Sequence, residues 1–499
     1  MFLEKLKKQY DVVCFEDLGD YYSQHRAIFD LLKRCYQEKF LGNQRLVFYS
    51  SEPLSQEFLN HIQRAASRID ISNFFILILT PFDILSKLKE ANQKYGNDAV
   101  LINFEIADIT NSRAFGSAGF IKNHESMCVF PFMMQSVSMS NDVRPCCKIN
   151  TSVGNLKDNT LTDVFNNDKS ASIRRSLSTG AMIKECNVCW DVEKNNLTSF
   201  RQHGLDKYRD QIDQGWFDDV KPRVIEISPA SLCNFKCRIC KPIQSSSIAV
   251  EELMYATESD TKKRLKQYIN INKDDFTKSI PSRLINSLDS VEFLHILGGE
   301  PFMWPQLDEL LDLIIEKDYA KNIRLEFNSN GSIYPATIID KLKKFKYVEI
   351  LLSIDDIGHR FEIQRGGNWD DVYKNIELFK NLKSSTVDIK AAVTVNIQNV
   401  LYLDQLLEFF QNINFDIVWW YLEDPAYLSI YNTTTKVKNL IYQKYHSHSN
   451  SELRNIATGV QSSTPINGKE FLEYTVKLDN RRAQDFKLYH SEIFNAMSD

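Results

Sequence analysis

The chain has 499 residues, enough for two to four domains at roughly 100–200 residues each. Hydrophobic residues make up 43% and charged residues 25%, the balance of a soluble globular protein, and a net charge of −5 gives no electrostatic reason to expect nucleic acid as a partner. The longest apolar run, FFILIL at 74–79, is too short for a bilayer, and the opening MFLEKLKKQYDVV lacks the features of a secretory signal, so no membrane is expected and the cytoplasm is the expected compartment. Disulfides are rare there, and ten cysteines point instead to metal or redox chemistry.

In chain order, residues 1–110 alternate between two kinds of pattern. DVVCFE (11–16), RLVFYSS (45–51), FFILIL (74–79) and AVLINFE (99–105) read as buried strands. The stretches between them carry helical spacing of apolar residues, which predicts a small parallel, Rossmann-like α/β domain. Neither a G-x-G-x-x-G after its first strand nor a P-loop is present, so no nucleotide site is assigned there. Cys14 and Cys35 lie in this part and read as small buried hydrophobes.

Residues 111–221 are rich in Asn, Ser, Asp and Gly and hold Cys128, Cys146, Cys147, Cys186 and Cys189. TLTDVF and KSASIRRSLSTG read as short helices. So irregular a segment lacks material for its own large core, and a bound metal or cluster would supply folding free energy.

From 222 to 430 the alternation returns. Strands are expected at RVIEIS (223–228), VEFLHIL (291–297), IRLEFN (323–328), YVEILLSI (347–354), IKAAVTV (389–395) and FDIVWWYL (415–422). Helical patterns lie around 245–269 and at 306–317, 335–344, 369–382 and 401–412. The fold class is therefore α/β, a partial (β/α)6 TIM-like barrel whose site belongs at the carboxyl ends of the strands. The extension 431–499 reads as mixed helix and loop.

Cys233, Cys237 and Cys240 fall just after the first barrel strand, in SLCNFKCRIC, spaced C-x3-C-x2-C. A structural zinc wants four ligands, and the next hundred residues offer only His295 as a nitrogen ligand. A [4Fe–4S] cluster held by three thiolates instead keeps one iron open for another molecule.

CNFKCRIC in this place resembles the cysteine motif of the radical S-adenosylmethionine (radical SAM) superfamily. ILGGEPFMW (296–304), EFNSNGS (326–332), LLSIDD (351–356) with HRFEIQRGGNWDDVYKNI (359–376), and TVNIQN (394–399) resemble that family's later motifs, in order. The resemblance covers about 222–430. It implies that Cys233, Cys237 and Cys240 ligate a [4Fe–4S] cluster whose open iron binds S-adenosylmethionine, and that reduction yields a 5′-deoxyadenosyl radical. Gly298 and Gly299 would let the backbone approach the cofactor. Glu300 would face the ammonium group and Pro301 would stiffen the turn. Asn328, Asn330 and Ser353 would hydrogen-bond the ribose or carboxylate, Arg365 would pair with the carboxylate, and Phe235 would cover the cluster. Asn328 and Asn330 read equally well as turn-formers.

The earlier cysteines, from MCVF at 127 to ECNVCW at 185–190, resemble the auxiliary-cluster region of SPASM and twitch radical SAM proteins, but here that region precedes the barrel. Cys128, Cys146, Cys186 and Cys189 are the implied ligands of a second Fe–S cluster, taken as [4Fe–4S]. Neighbours on a strand face opposite sides, so only one of Cys146 and Cys147 would point at it, and Cys146 is the expected one. A four-thiolate zinc knuckle is the alternative. Trp190 and Arg174 read as packing and surface residues.

Fully ligated, the second cluster would serve electron transfer or structure. The expected activity is radical modification of a peptide or protein side chain, fed by an electron donor such as flavodoxin or ferredoxin. Two other readings stay open: the same chemistry on a small metabolite, sugar or nucleotide, and a non-catalytic Fe–S or zinc interaction protein. Trp419, Trp420 and Tyr421 on the last strand are candidates to line a substrate pocket.

Overall fold

The structure, a computed structural model, describes residues 12–17, 45–49, 75–79, 126–178, 181–194, 199–209 and 220–498. It divides into two compact units, one of residues 1–133, 166–191 and 198–221, the other of residues 134–165, 192–197 and 222–499.

In the first unit β1 (Val12–Asp17), β2 (Arg45–Tyr49) and β3 (Phe75–Leu79) form a parallel sheet in sequence order. The expected strand at 99–105, the helices between the strands and Cys35 lie outside the described residues. Helices at Phe130–Met133, Asp168–Ser178 and Phe200–Lys207 belong to the same unit. The Phe130 ring stacks on Phe200 at 4.4 Å. Gly204 makes room for it, since a Cβ there would lie 2.4 Å from the ring. Trp190 is buried, its indole N–H donating to the Ile183 carbonyl at 3.2 Å, and Arg174 donates to the Pro131 carbonyl at 3.3 Å. Trp190 packs as expected, whereas Arg174, expected at the surface, is half-buried.

The second unit is built on one nine-stranded sheet. Its strands are β4 (Met134–Val137), β5 (Asp142–Arg144), β6 (Gly154–Asn155), β7 (Val224–Ile227), β8 (Phe293–Ile296), β9 (Arg324–Ser329), β10 (Tyr347–Ser353), β11 (Val387–Val395) and β12 (Ile417–Tyr421). Strands β7 to β12 are parallel neighbours in sequence order, as six strand-helix units predict. Beside β7 the sheet continues through β4, also parallel, into the antiparallel β4–β5–β6 meander. The segment ahead of the barrel thus shares the barrel's sheet. Lys148, just after β5, pairs with Glu423, just after β12, at 2.9 Å.

Alternation along each strand explains the layering. One face carries Val348, Ile350 and Leu352 of β10, all fully buried. The surrounding helices bury stripes such as Leu307, Leu310, Leu311 and Ile314, or Val372, Ile376, Phe379 and Leu382, at helical spacing. The other face is polar. Ladder register sets Glu226, His295, Glu326, Glu349 and Asp388 side by side on five successive strands.

Three helical expectations change, and the first, at 335–344, shortens to a single turn at Ile339–Leu342. The pattern around 245–269 is two helices, Ser246–Tyr255 and Ser259–Asn270, because Ala256 and Glu258 adopt extended backbone. The 431–499 extension is mainly helical, with helices at Thr435–Tyr445, Ser451–Ser462, Lys469–Arg482 and Ser491–Ser498. No helix among the described residues is long and apolar enough to cross a membrane.

Candidate functional site

The loop after β7 holds Cys233 and Cys237, each 8% exposed, and Cys240, which is half-buried. The Phe235 amide donates to Cys233 Sγ at 3.4 Å and the Asn330 side-chain amide approaches the same sulfur at 3.7 Å. The Cys233 amide donates to Ser246 Oγ at 3.2 Å. Burial raises all three thiols: Cys237 is pushed up to about 11, and Cys240, with Cys237 and Cys233 as further causes, to about 12. Left as thiolates, these sulfurs would be desolvated anions, and bound iron supplies the compensating positive charge. Among the described residues no group of three or more His, Cys, Asp or Glu is arranged to hold a single metal ion. Phe235 is buried, its ring seated over Gly367 and 6.0 Å from Phe361.

The glycines after β8 pack backbone against that loop. Gly298 has φ +128°, and a Cβ on it would lie 2.5 Å from the Ala230 carbonyl oxygen. On Gly299 a Cβ would lie 2.3 Å from the Leu232 oxygen and 2.6 Å from that of Ser231. Two hydrogen bonds need this approach, Gly299 N to Ala230 O at 3.0 Å and Glu300 N to Leu232 O at 2.6 Å. The close contact that these glycines permit in the structure is therefore with the cysteine loop itself.

Glu300 is 2% exposed and accepts from Asn330 N at 2.7 Å, Ser329 Oγ at 3.0 Å and Phe302 N at 3.2 Å. Burial pushes its carboxyl up to about 7 against the pull of those donors. Pro301 opens the short 3-10 turn that follows. Asn330 donates to Asn234 Oδ1 at 3.0 Å and accepts from Ser332 N at 2.8 Å, so it both forms its turn and ties that turn to the cysteine loop.

Arg365, at the end of the helix Gly358–Arg365, is buried and donates to Asp355 at 2.5 Å. Burial opposes its charge, yet the Cys237 sulfur, the Asp355 carboxylate and the Cys233 sulfur raise its pKa beyond the ordinary guanidinium value. Its Nε is buried without a partner. Ser353 ends β10, half-buried, two residues before Asp355. Asn328 lies elsewhere, its Oδ1 2.8 Å from His295 Nε2 on the polar face of the sheet. Of the last-strand aromatics, Trp420 is 42% exposed and paired in register with Thr394, whereas the Tyr421 hydroxyl donates to Glu452.

Several contributors were not singled out from sequence. Arg238 stands between the second and third cysteines and is fully buried. Asp355 holds Arg365, and Gly366 (φ +71°) and Gly367 make room for Lys236 and Phe235. The signal for the glycines was the Arg-Gly-Gly run itself.

Among the earlier cysteines, Cys128, Cys186 and Cys189 belong to the first unit and Cys146 and Cys147 to the second. Strand alternation does not distinguish Cys146 from Cys147, because β5 ends at Arg144 and both lie beyond Pro145, which cannot donate to a ladder. Cys146 is 6% exposed. Cys147 is half-buried, its thiol pushed well up by burial and then by the Glu226 carboxylate and Cys146.

The sequence pattern of the Radical SAM superfamily matches residues 227–403, and that of the SPASM iron–sulfur cluster-binding domain matches residues 128–190. The barrel is a radical SAM domain. Ahead of it the chain carries a SPASM domain. Radical SAM domains take a [4Fe–4S] cluster and S-adenosylmethionine, SPASM domains take auxiliary iron–sulfur clusters, and the superfamily's members are enzymes. No curated protein matches the chain. Similar solved structures include anSMEcpe with bound AdoMet, at 17% identity and TM-score 0.31 over 50% of this chain and 66% of that one. SuiB of Streptococcus suis bound to S-adenosylmethionine is 16% identical with TM-score 0.27, over 60% of this chain and 64% of that one. TYW1 with a lysine-pyruvate adduct bound is 16% identical with TM-score 0.23, over 44% and 70%. The chain spans just under two thirds of the length of anSMEcpe and SuiB.

Proposed function

We propose that the chain is a radical SAM enzyme that abstracts hydrogen from a side chain of a peptide or protein. The observation that carries this reading is the placement of Cys233, Cys237 and Cys240 at the carboxyl end of β7, against the Gly298–Gly299 backbone and beside buried Arg365. A cluster with bound S-adenosylmethionine supplies, on reduction, a 5′-deoxyadenosyl radical as the hydrogen-abstracting species. The protein's part is to hold and to orient. The three cysteines ligate the cluster. Arg365, locked by Asp355, and Asn330 and Ser353 present donors for the carboxylate or ribose of S-adenosylmethionine, and Glu300 presents its carboxylate to the ammonium. The Gly298–Gly299–Pro301 turn shapes that seat, whereas Asn328, held by His295 on the polar face of the sheet, stands apart from it. Cys128, Cys146, Cys186 and Cys189 would hold the auxiliary cluster, which would serve electron transfer or structure. Flavodoxin or ferredoxin delivers the reducing electron, and the N-terminal α/β domain, residues 1–110, recognises substrate or partner.

Auxiliary clusters of this type serve enzymes that modify ribosomally made peptides and also enzymes that act on small molecules, sugars and nucleotides, so the substrate class is decided by experiment. The test is isotope transfer. Reconstituted protein is given S-adenosylmethionine, dithionite and fully deuterated short peptides encoded beside its gene. Deuterium in the 5′-deoxyadenosine formed supports the reading. Transfer only from a deuterated metabolite, sugar or nucleotide overturns the peptide assignment.

A further inference from the structure

The C-terminal extension is attached to the cysteine loop. The helix Lys469–Arg482 lies well beyond the residues 227–403 that match the superfamily. It reaches back over more than two hundred residues to both neighbours of Cys237. Arg238, 1% exposed, donates through Nη2 to Asp479 and, at 2.8 Å, to Gln484. Its Nε donates to the Ile363 carbonyl at 3.0 Å, and its own carbonyl accepts from the Tyr474 hydroxyl. On the other side, Arg482 donates to the Lys236 carbonyl at 2.7 Å and forks onto Glu251 at 3.1 and 2.7 Å. Ala483 is left-handed at φ +49°, and this turns the chain so that Gln484 N closes on the Asp479 carbonyl at 3.0 Å while Gln484 reaches Arg238.

We propose that this C-terminal segment is a working part of the cluster site, with Asp479, Arg482 and Tyr474 as positioning residues that hold residues 236–238 so that Cys233, Cys237 and Cys240 can take a [4Fe–4S] cluster. The proposal rests on the reading of that loop as the cluster site. The physical reason is that the loop has no regular secondary structure of its own. A short segment carrying three ligands keeps one conformation only where its backbone groups and its buried charge are satisfied from outside. Glu300 N and Asn330 supply that from the barrel, and the C-terminal segment supplies it from the extension. Asp479 also balances the charge of a guanidinium adjoining two ligands, so it bears on the cluster's potential as well as on its retention.

The test uses the full chain with Asp479→Asn, Arg482→Gln, Tyr474→Phe and, as the conservative control, Asp479→Glu. Iron per chain is counted after anaerobic reconstitution and desalting, and the reduced protein is examined by electron paramagnetic resonance with and without S-adenosylmethionine. Wild-type helical circular dichroism is the check on folding. The expected result is that Asp479→Asn and Arg482→Gln lose up to half of the iron, the remaining iron shows an altered signal that no longer responds to S-adenosylmethionine, and Asp479→Glu recovers part of both. Should Asp479→Asn fail to fold, Tyr474→Phe decides, since it removes one hydroxyl; faster iron loss or a changed signal is expected. Full iron and a wild-type signal in the folded variants overturn the proposal alone. A wild-type protein with no iron at the three cysteines overturns the reading beneath it, and the proposal with it.

Discussion

Arg365 donates to Asp355 at 2.5 Å, and Asp355 accepts the Thr394 amide at 2.7 Å with its other oxygen. The guanidinium beside the thiols is thereby fixed from the end of β10 and from β11 together. It is buried, so its charge depends on that one carboxylate and on the sulfurs nearby.

Removing one partner of this pair leaves an uncompensated buried charge. Asp355→Asn is expected to cost about 3–5 kcal/mol of stability in the iron-free protein. Urea denaturation measures it. Arg365→Lys should not restore the wild-type value, because an ammonium lacks the planar fork. A loss below about 1 kcal/mol would show that the pair is relaxed by solvent.

Gly299→Ala sets a Cβ against the Leu232 and Ser231 carbonyls, backbone atoms that cannot swing aside. The expected cost is about 1–3 kcal/mol or more, with loss of iron from the cysteine loop. Gly358→Ala is the contrast: nothing lies within 4 Å of its Cβ, and only the left-handed φ of +59° is penalised. It should cost about 1–2 kcal/mol and keep its iron. Equal iron loss in both would contradict the steric account.

His295 is the pH-sensitive element of the sheet's polar face. Burial alone would lower its pKa, but Glu326, Glu226 and Asn328 outweigh burial and raise it. A folded-state pKa above the unfolded value of about 6.5 stabilises the protein fully below that value. The contribution is lost as pH rises through the folded pKa. The urea midpoint of wild type should therefore exceed that of His295→Gln most at about pH 6, and the gap should narrow as pH rises through the raised folded-state value. A gap independent of pH would show that the imidazole does not carry this charge.

Much of this was legible along the chain. Strands β7 to β12 were readable as short apolar runs, and in β8, β9 and β10 every second residue is buried, as Val348, Ile350 and Leu352 show. The polar row was also written there, as Glu226 in RVIEIS, His295 in VEFLHIL, Glu326 in IRLEFN and Glu349 in YVEILLSI, but its meaning needs the ladder register that aligns them. Gly298 and Gly299 stood out as a motif, whereas what they touch did not, since Ala230 and Leu232 act through backbone oxygens common to every residue. Arg238 and Asp479 are 241 residues apart, and no local pattern foretells a contact made by tertiary folding. The break between the helices at Tyr255 and Ser259 has no Gly or Pro to announce it.

The most direct test of the central claim is made anaerobically on one reconstituted sample. Iron and sulfide are counted per chain, and 5′-deoxyadenosine is assayed after adding dithionite and S-adenosylmethionine. Two clusters predict about eight irons with 5′-deoxyadenosine formed. With Cys233, Cys237 and Cys240 all changed to Ala, about four irons should remain and 5′-deoxyadenosine formation should cease. Zinc in place of iron with no 5′-deoxyadenosine, or product formation that survives the triple substitution, would contradict the account.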